Sequence, residues 1–446
     1  MQIRDVLGGS HKPWKRRKKR GARQDRLVQK ALHSIKEASG NKNTHLMHAE
    51  ELVFSQQRSG AESAIKLLTG FTQAMAGGPS GAGPDVVSVK WDGAPAIIAG
   101  TDPADGKFFV GTKGVFGKRE PKLNKTPEDI ERFHADKDDK DGSSLRNKLK
   151  MALEHFPKLG IEGVLQGDLM FTPDTLKSQS INGEEYLTFK PNTITYAVPS
   201  NSDIAEKIRN AKIGIVWHTA YEGPSVGEMS AQFGANIDGL QETPDVWYDD
   251  AVVTDVSGSG LSKGEAKPIL SMLNTAGRSL KSLSNDDWAL ITDSPIKNFH
   301  KLLLTHVNRA VRAGKFEQAN KFFNSFVVQI EQDTQKAIST LKTGPEGPAA
   351  TRKMQDLQRA IRFVEENKQK LYDIYNLHMG IMEAKDELTK HLNKLMDMKA
   401  FIQQPDGSFA VTPGEGVVIA DHMGNAMKVV DRLDFSKANF APKDFQ

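Results

Sequence analysis

The chain reads as an α+β protein. Twisted antiparallel sheets form a core over residues 44–260 and 401–446, an α-helical insertion fills 261–400, and a basic arm spans 1–43. Three observations predict this. Short apolar, β-branched runs punctuated by Gly, Pro and Asn occupy 86–257 and return after 408; between 263 and 399 apolar residues recur at threes and fours; and residues 1–42 hold thirteen Lys and Arg against three Asp and Glu. Period-two runs mark strands, and the three-and-four period marks helices with one core-facing stripe.

The arm has a balance of +10, so the remainder of this +4 chain carries −6. Its run Lys15, Arg16, Arg17, Lys18, Lys19 and Arg20 follows Trp14, a pattern suited to lying along a phosphate backbone with a ring stacked on a base. A solubilising tail or a targeting signal has the same composition. A helix is expected from about Asp25 to Ala38, and more helix from Thr44 to Ala76. His45 and His48, with Glu51 nearby, have a spacing that a metal permits, but three-residue spacing alone does not specify one.

The Gly/Ser/Pro-rich loop 77–83 leads into Val86-Val87-Ser88-Val89, a strand that delivers Lys90, and Asp92-Gly93 then turns the chain. An amine so placed can act as a covalent nucleophile once its pKa falls from about 10.4 through burial or nearby cations. The same pattern also describes an ordinary hairpin turn with an exposed lysine.

Other strands repeat the design. Phe108-Phe109-Val110-Gly111 runs into Thr112-Lys113-Gly114, Val164-Leu165-Gln166-Gly167 into Asp168, and Gly414-Glu415-Gly416 opens Val417-Val418-Ile419, while Lys428 lies inside Ala426–Val430. Charge within an apolar strand is costly unless paired or bound, so three lysines and two acids point to one polyanion and metal site. Ile213–Tyr221 is a further apolar strand, with Trp217 or Tyr221 as an aromatic face and His218 as a packed histidine. Thr126–Gly142 is a solvated acidic and lysine-rich excursion, and a helix follows over Leu145–Phe156. In the helical insertion Gly344–Pro348 separates two long parts, read as a hairpin; such insertions bind a substrate or partner, or brace the core.

With no cysteine, disulfide scaffolds, thiolate zinc sites and cysteine nucleophiles are excluded. No apolar run has the length of a membrane span, and the N-terminus has no secretory apolar core. A cytoplasmic location is expected.

The order Lys90-Trp91-Asp92-Gly93, Thr112-Lys113-Gly114, Gly167-Asp168-Leu169, Glu415-Gly416-Val417-Val418 and Lys428 resembles the motif series of the covalent nucleotidyltransferases. These are the ATP-dependent DNA ligases, RNA ligases and mRNA capping enzymes, and the resemblance is closest to phage-type RNA ligases. It covers roughly 44–260 and 403–440 through short motifs. Two positions depart from the pattern. Pro95 stands where many ligases carry an arginine, as in some RNA ligases, and Lys428 lacks a second lysine, with Ala426 and Val430 at the partner positions.

The resemblance implies a ligase-type core in which Lys90 attacks the α-phosphate of ATP and holds AMP. Glu415 would bind Mg2+ or Mn2+, and Lys428 would contact the α-phosphate. Asp168 would hold ribose hydroxyls or metal, and Lys113 would grip phosphate and help depress the Lys90 pKa. Asp92 and Gly93 would line the nucleotide, with Trp217 or Tyr221 against the base, and Gly93 and Gly416 would allow close approach. The implied partners are RNA or DNA ends, with the host cytoplasm as the location of a phage protein. Alternatives are a GTP-using capping-type or protein nucleotidyltransferase, and a nucleic-acid-binding or virion-associated protein that kept the fold without turnover.

Overall fold

The computed structural model describes residues 46–432 apart from 79–82, 118, 135–144, 254–255, 257–260, 315, 342–343, 393–398, 404–408, 412–415, 422 and 424. The basic arm, its expected helix, His45 and Glu415 therefore lie outside the described residues. The chain begins with α1 (Leu52–Ser55) and α2 (Gln57–Met75), whose buried Ala61, Ala64, Leu68, Phe71 and Met75 keep the three-and-four spacing. Strands β1 (Val86–Val89), β2 (Ala96–Thr101) and β3 (Phe108–Gly111) follow.

Next come α3 (Pro127–Phe133) and α4 (Leu145–His155), then β4 (Val164–Phe171), β5 (Lys177–Ile181), β6 (Glu184–Phe189) and β7 (Thr195–Pro199). Helix α3 falls where a solvated excursion was expected. Thr126 and Asp129 close a reciprocal capping box with Pro127 at the first turn, a start signal that the charge-rich composition hid. After α5 (Asp203–Asn210) come β8 (Ile213–Glu222), β9 (Ser230–Phe233), β10 (Val246–Asp250) and β11 (Val252–Val253).

Among the described residues the insertion is not one hairpin but six helices: α6 (Lys263–Ser282), α7 (Asn285–Thr292), α8 (Phe299–Arg312), α9 (Ala319–Ser339), α10 (Pro348–Glu366) and α11 (Lys368–Thr389). Ser262 and Ser284 start α6 and α7 with capping boxes to Glu265 and Asp287. Strands β12 (Lys399–Gln403), β13 (Phe409–Val411), β14 (Val417–Ala420) and β15 (Ala426–Val429) complete the described elements.

Three sheets result. The order β11-β1-β14-β15 makes one, β10-β8-β4-β2-β3 with β9 on β8 makes the second, and β13-β12-β7-β6-β5 makes the third. Their pairings are antiparallel except that β10 runs parallel to β8, which corrects the all-antiparallel expectation. Thus the segments after the insertion return to two different sheets, β12 to β7 and β14 to β1.

Helix α11 is the centre of the helical block. Leu371, Ile374, Leu377, Ile381, Ala384 and Leu388 are buried, along with Tyr375, His378 and Lys385 from the same helix. A helix buried on so many sides must be packed around, and α11 contacts α1, α2, α6, α7, α9 and β15. Helices α1 and α2 therefore belong by packing with the later helices, although they precede the first strand in sequence. One continuous apolar core joins this block to strands of all three sheets. A second core lies between α4 and one face of the second sheet, and a third covers part of the opposite face.

Candidate active site

Lys90 follows β1 directly, and its N–H donates to the Gly416 carbonyl at 2.8 Å, one step beyond the Val89–Val417 pair. Gly416 has φ +103°, and a Cβ there would lie 2.2 Å from the Val429 carbonyl oxygen, so this close pairing needs glycine. On β14 the opposite edge pairs with β15, where Val418 faces Lys428. Lys428 is further fixed through its backbone: its N–H donates to Met47 O at 2.9 Å, and its carbonyl accepts from Ala49 N–H at 3.1 Å.

Beyond Lys90 the chain crosses from the first sheet to the second. The crossing is clamped at Asp92, whose carboxylate accepts from Asn192 Nδ2 at 2.7 Å, Thr193 N–H at 2.7 Å and Ile194 N–H at 2.8 Å. The Asp92 N–H donates to the Tyr196 hydroxyl at 2.7 Å. Then Ala94 N–H donates to Leu169 O, and Leu169 N–H to Pro95 O, which seats the turn on β4. At Gly93 a Cβ would come within 2.5 Å of the Asp168 Cβ and 3.0 Å of Leu169 O. The missing side chain lets the Lys90 turn lie against Asp168.

Burial is the largest influence on Lys90 and lowers its amine below the ordinary lysine value; Asp168 and Asp92 raise it, and the Lys428 charge lowers it further. Lys428 is itself lowered by burial, against the opposing pull of Glu51. Asp168 and Lys428, far apart in sequence, thus both act on Lys90. The Asp168 carboxylate also lies 3.5 Å from His218 Nε2, while His218 Nδ1 is 2.8 Å from Thr219 Oγ1. Sequence reasoning passed over His218 as a packed residue.

Other expected ligands stand elsewhere. Trp217 is fully buried in the second core with Phe156 packed edge-on at 5.4 Å, so it offers no face to a base. Strand alternation explains this, because Trp217 and His218 point to opposite faces and His218 takes the Asp168 side. Tyr221 donates to Gln166 Oε1 at 2.6 Å and packs with Phe116 at 4.8 Å. The Asp92 carboxylate is taken up by three internal donors and serves the turn rather than a ligand. Lys113 is exposed at the start of a 3-10 turn and is not among the charges that act on Lys90.

Behind Lys428 lies a buried ionic network. Glu50 Oε1 is 3.0 Å from Lys385 Nζ and 3.5 Å from Arg432 Nη1, with Glu50 and Lys385 side chains both 0% exposed. Arg432 Nη1 also reaches Glu51 Oε1 at 3.0 Å, and Glu51 Oε2 accepts from His48 N–H at 3.0 Å. His378 Nδ1 lies 2.8 Å from Glu50 O. The cations hold Glu50 down to about 2 against the cost of burial, and burial pushes His48 to about 3 and His378 to about 4.

A pH dependence follows. Both histidines are neutral in the fold, so the unfolded chain takes their protons first as pH falls below about 6.5, and stability is lost. Asp386, raised by burial to about 6, opposes them because the fold holds its proton between that value and the ordinary 3.8. From pH 6 to 4 these three groups together give the unfolded chain about one extra proton, a loss of about 1.4 kcal/mol per pH unit, and the lowered His134 and His306 add in the same direction. Denaturant midpoints at pH 7, 6 and 5 should fall in that order. A midpoint that rises towards pH 5 contradicts the buried neutral histidines.

Among the described residues no three Asp, Glu, His or Cys side chains form a metal-binding group. A dication held by one carboxylate plus substrate phosphates is still compatible with Asp168, since magnesium is commonly bound in that way. No helix among the described residues is long and apolar enough to cross a membrane. No curated protein and no solved structure matches the chain. The model of one family, described only as a family of unknown function (DUF6267), matches residues 43–443, and the chain belongs to that family.

Proposed function

We propose that the chain is an ATP-dependent, ligase-like adenylyltransferase that forms lysyl-AMP on Lys90 and activates the 5′-phosphate of nucleic-acid ends, RNA before DNA. The observation that carries this reading is that Lys90 leaves β1 beside Gly416, that β14 pairs with the strand bearing Lys428, and that the Gly93 turn lies against Asp168. Burial and the Lys428 charge favour the neutral amine that attack requires. The Lys90 Nζ forms a bond to the α-phosphorus, the bond to pyrophosphate breaks, and the amine loses its proton. Lys428 offsets the charge that builds on the α-phosphate oxygens.

Asp168 is placed to take ribose hydroxyls or to hold Mg2+ or Mn2+, which supplies further charge neutralisation on the phosphates. His218 orients that carboxylate. Glu415, outside the described residues, adjoins Gly416 opposite Lys90 and is proposed as a second oxygen donor. AMP then passes to a 5′-phosphate, and a 3′-hydroxyl displaces it. The preference for RNA rests on Pro95 in place of the ligase arginine.

The test is incubation of the purified protein with α-labelled ATP, and separately GTP, with Mg2+ or Mn2+. A protein adduct stable to base and labile to acid is expected with ATP. A GTP adduct instead moves the reading to a capping-type enzyme. No adduct on folded protein freed of bound AMP overturns it in favour of a nucleic-acid-binding protein without turnover.

A further inference from the structure

A groove of about 990 Å³ lies between the C-terminal turn of α2 and one face of α6, away from Lys90. Lys263, Lys267 and Arg278 line it with Asn274, Gln73 and Leu270, and among the described residues the lining contains no acid. Positions 263, 267, 270, 274 and 278 fall on one helical face. The core stripe of α6 is another set, Ala266, Ile269, Leu273, Ala276 and Leu280.

An exposed basic helix face is ordinarily a solvated one, and its usual mark is pairing with neighbouring acids. Elsewhere on the helical block some cations, though not all, are paired in this way: Arg309 with Asp333, Lys370 with Asp287, Arg359 with Asp356, and Lys390 with Glu387. Lys263, Lys267 and Arg278 form no ion pair among the described residues. The acid nearest in sequence, Glu265, is committed to the Ser262 cap and lies 3.7 Å from His391. In a chain that carries −6 outside its arm, a concave surface with cations alone is a local reversal of sign.

We infer that this groove binds the phosphodiester backbone of a single nucleic-acid strand. Four helical residues advance about 6 Å, so Lys263 and Lys267 can meet neighbouring phosphates of an extended strand, and Arg278 one further along. Leu270 gives an apolar floor for a sugar or base edge, and Asn274 and Gln73 offer amide donors. The acid-free lining suits a polyanion, and the absence of an aromatic from it suits backbone binding without base readout. This inference deepens the adenylyltransferase reading by assigning part of the strand to the helical block.

The experiment uses the full chain and a fluorescein-labelled single-stranded RNA without a 5′-phosphate, titrated by anisotropy from 50 to 200 mM salt. The triple variant Lys263→Gln, Lys267→Gln, Arg278→Gln should bind at least tenfold more weakly at 100 mM. Its slope of log affinity against log salt should be shallower by about 2, as for three lost single-strand phosphate contacts. A control triple on α10, Arg352→Gln, Lys353→Gln, Arg359→Gln, should keep the wild-type slope. An unchanged slope in the groove variant, or an equal change in the control, overturns the groove. Label on Lys90 is followed in the same proteins: a groove effect without any wild-type label sinks the adenylyltransferase reading and leaves the groove standing.

Discussion

Lys90→Ala and Lys90→Arg should both abolish the ATP-derived label, and Lys428→Ala should slow its formation by about 10²- to 10³-fold without changing the residue labelled. The arginine variant is the decisive one. It keeps the cation and most of the length, but its guanidinium stays protonated and cannot act as a nucleophile. If Lys90 served only to hold a phosphate, arginine would retain much of the activity. Peptide mapping after labelling should find AMP on Lys90, and label surviving in Lys90→Arg would sink the assignment.

Lys428 differs because the contribution proposed for it is electrostatic. Removing its charge deprives the building phosphate charge of a partner and also relaxes one of the two influences that lower Lys90. The alkaline limb of adenylylation in Lys428→Ala should therefore shift to higher pH, since a more basic Lys90 needs a higher pH to become neutral. A rate loss with an unmoved pH profile would confine Lys428 to the phosphate.

Much of this site was legible because strands are short-range objects. Lys90 at the end of Val86–Val89, Asp168 within β4 and Lys428 within β15 could each be read from an apolar run broken by one charge. That they share a site was an inference from motif order; the structure puts Lys90 and Lys428 on one sheet through β14 and lays the Gly93 turn against Asp168. One-residue choices were not legible. In β8 both Trp217 and His218 lie in one apolar run, and the register shift between Gln166 and Gly167 in the β4–β8 pairing falls beside them. Alternation puts one of the two on the Asp168 side, but which one depends on the register with β4, and composition does not encode it.

Long-range charge partners were hidden for a different reason. Glu50 sits in a helix-initiating stretch with Glu51, and Lys385 sits in a helix whose neighbours are charged; each looks like an ordinary surface residue in its own window. They meet only because α11 threads through the middle of the helical block against the segment before α1. The same geometry explains why residues 46–76 were grouped with the sheets. Sequence order placed them there, and packing on α6 and α11 moved them.

That buried pair makes the second large prediction. Lys385→Met should lower stability by about 3–5 kcal/mol, because it leaves Glu50 fully buried with only the more distant Arg432 as a counter-charge. Against a usual total of about 5–15 kcal/mol this is enough to threaten folding at moderate temperature. Glu50→Leu combined with Lys385→Met removes both charges at once and should recover most of the loss, since a buried ion pair is commonly replaceable by apolar groups of similar volume. Arg432 keeps Glu51 at 3.0 Å and its bond to Asn308 in the double variant, so it is not stranded. Urea denaturation of the wild type, both single variants and the double measures the coupling. Additive losses would mean that Glu50 and Lys385 are stabilised independently. Recovery in the double variant would show that the loss in Lys385→Met is the cost of leaving Glu50 buried without its partner and that apolar groups can replace the pair, and full labelling in that variant would show that the chemistry at Lys90 does not require it.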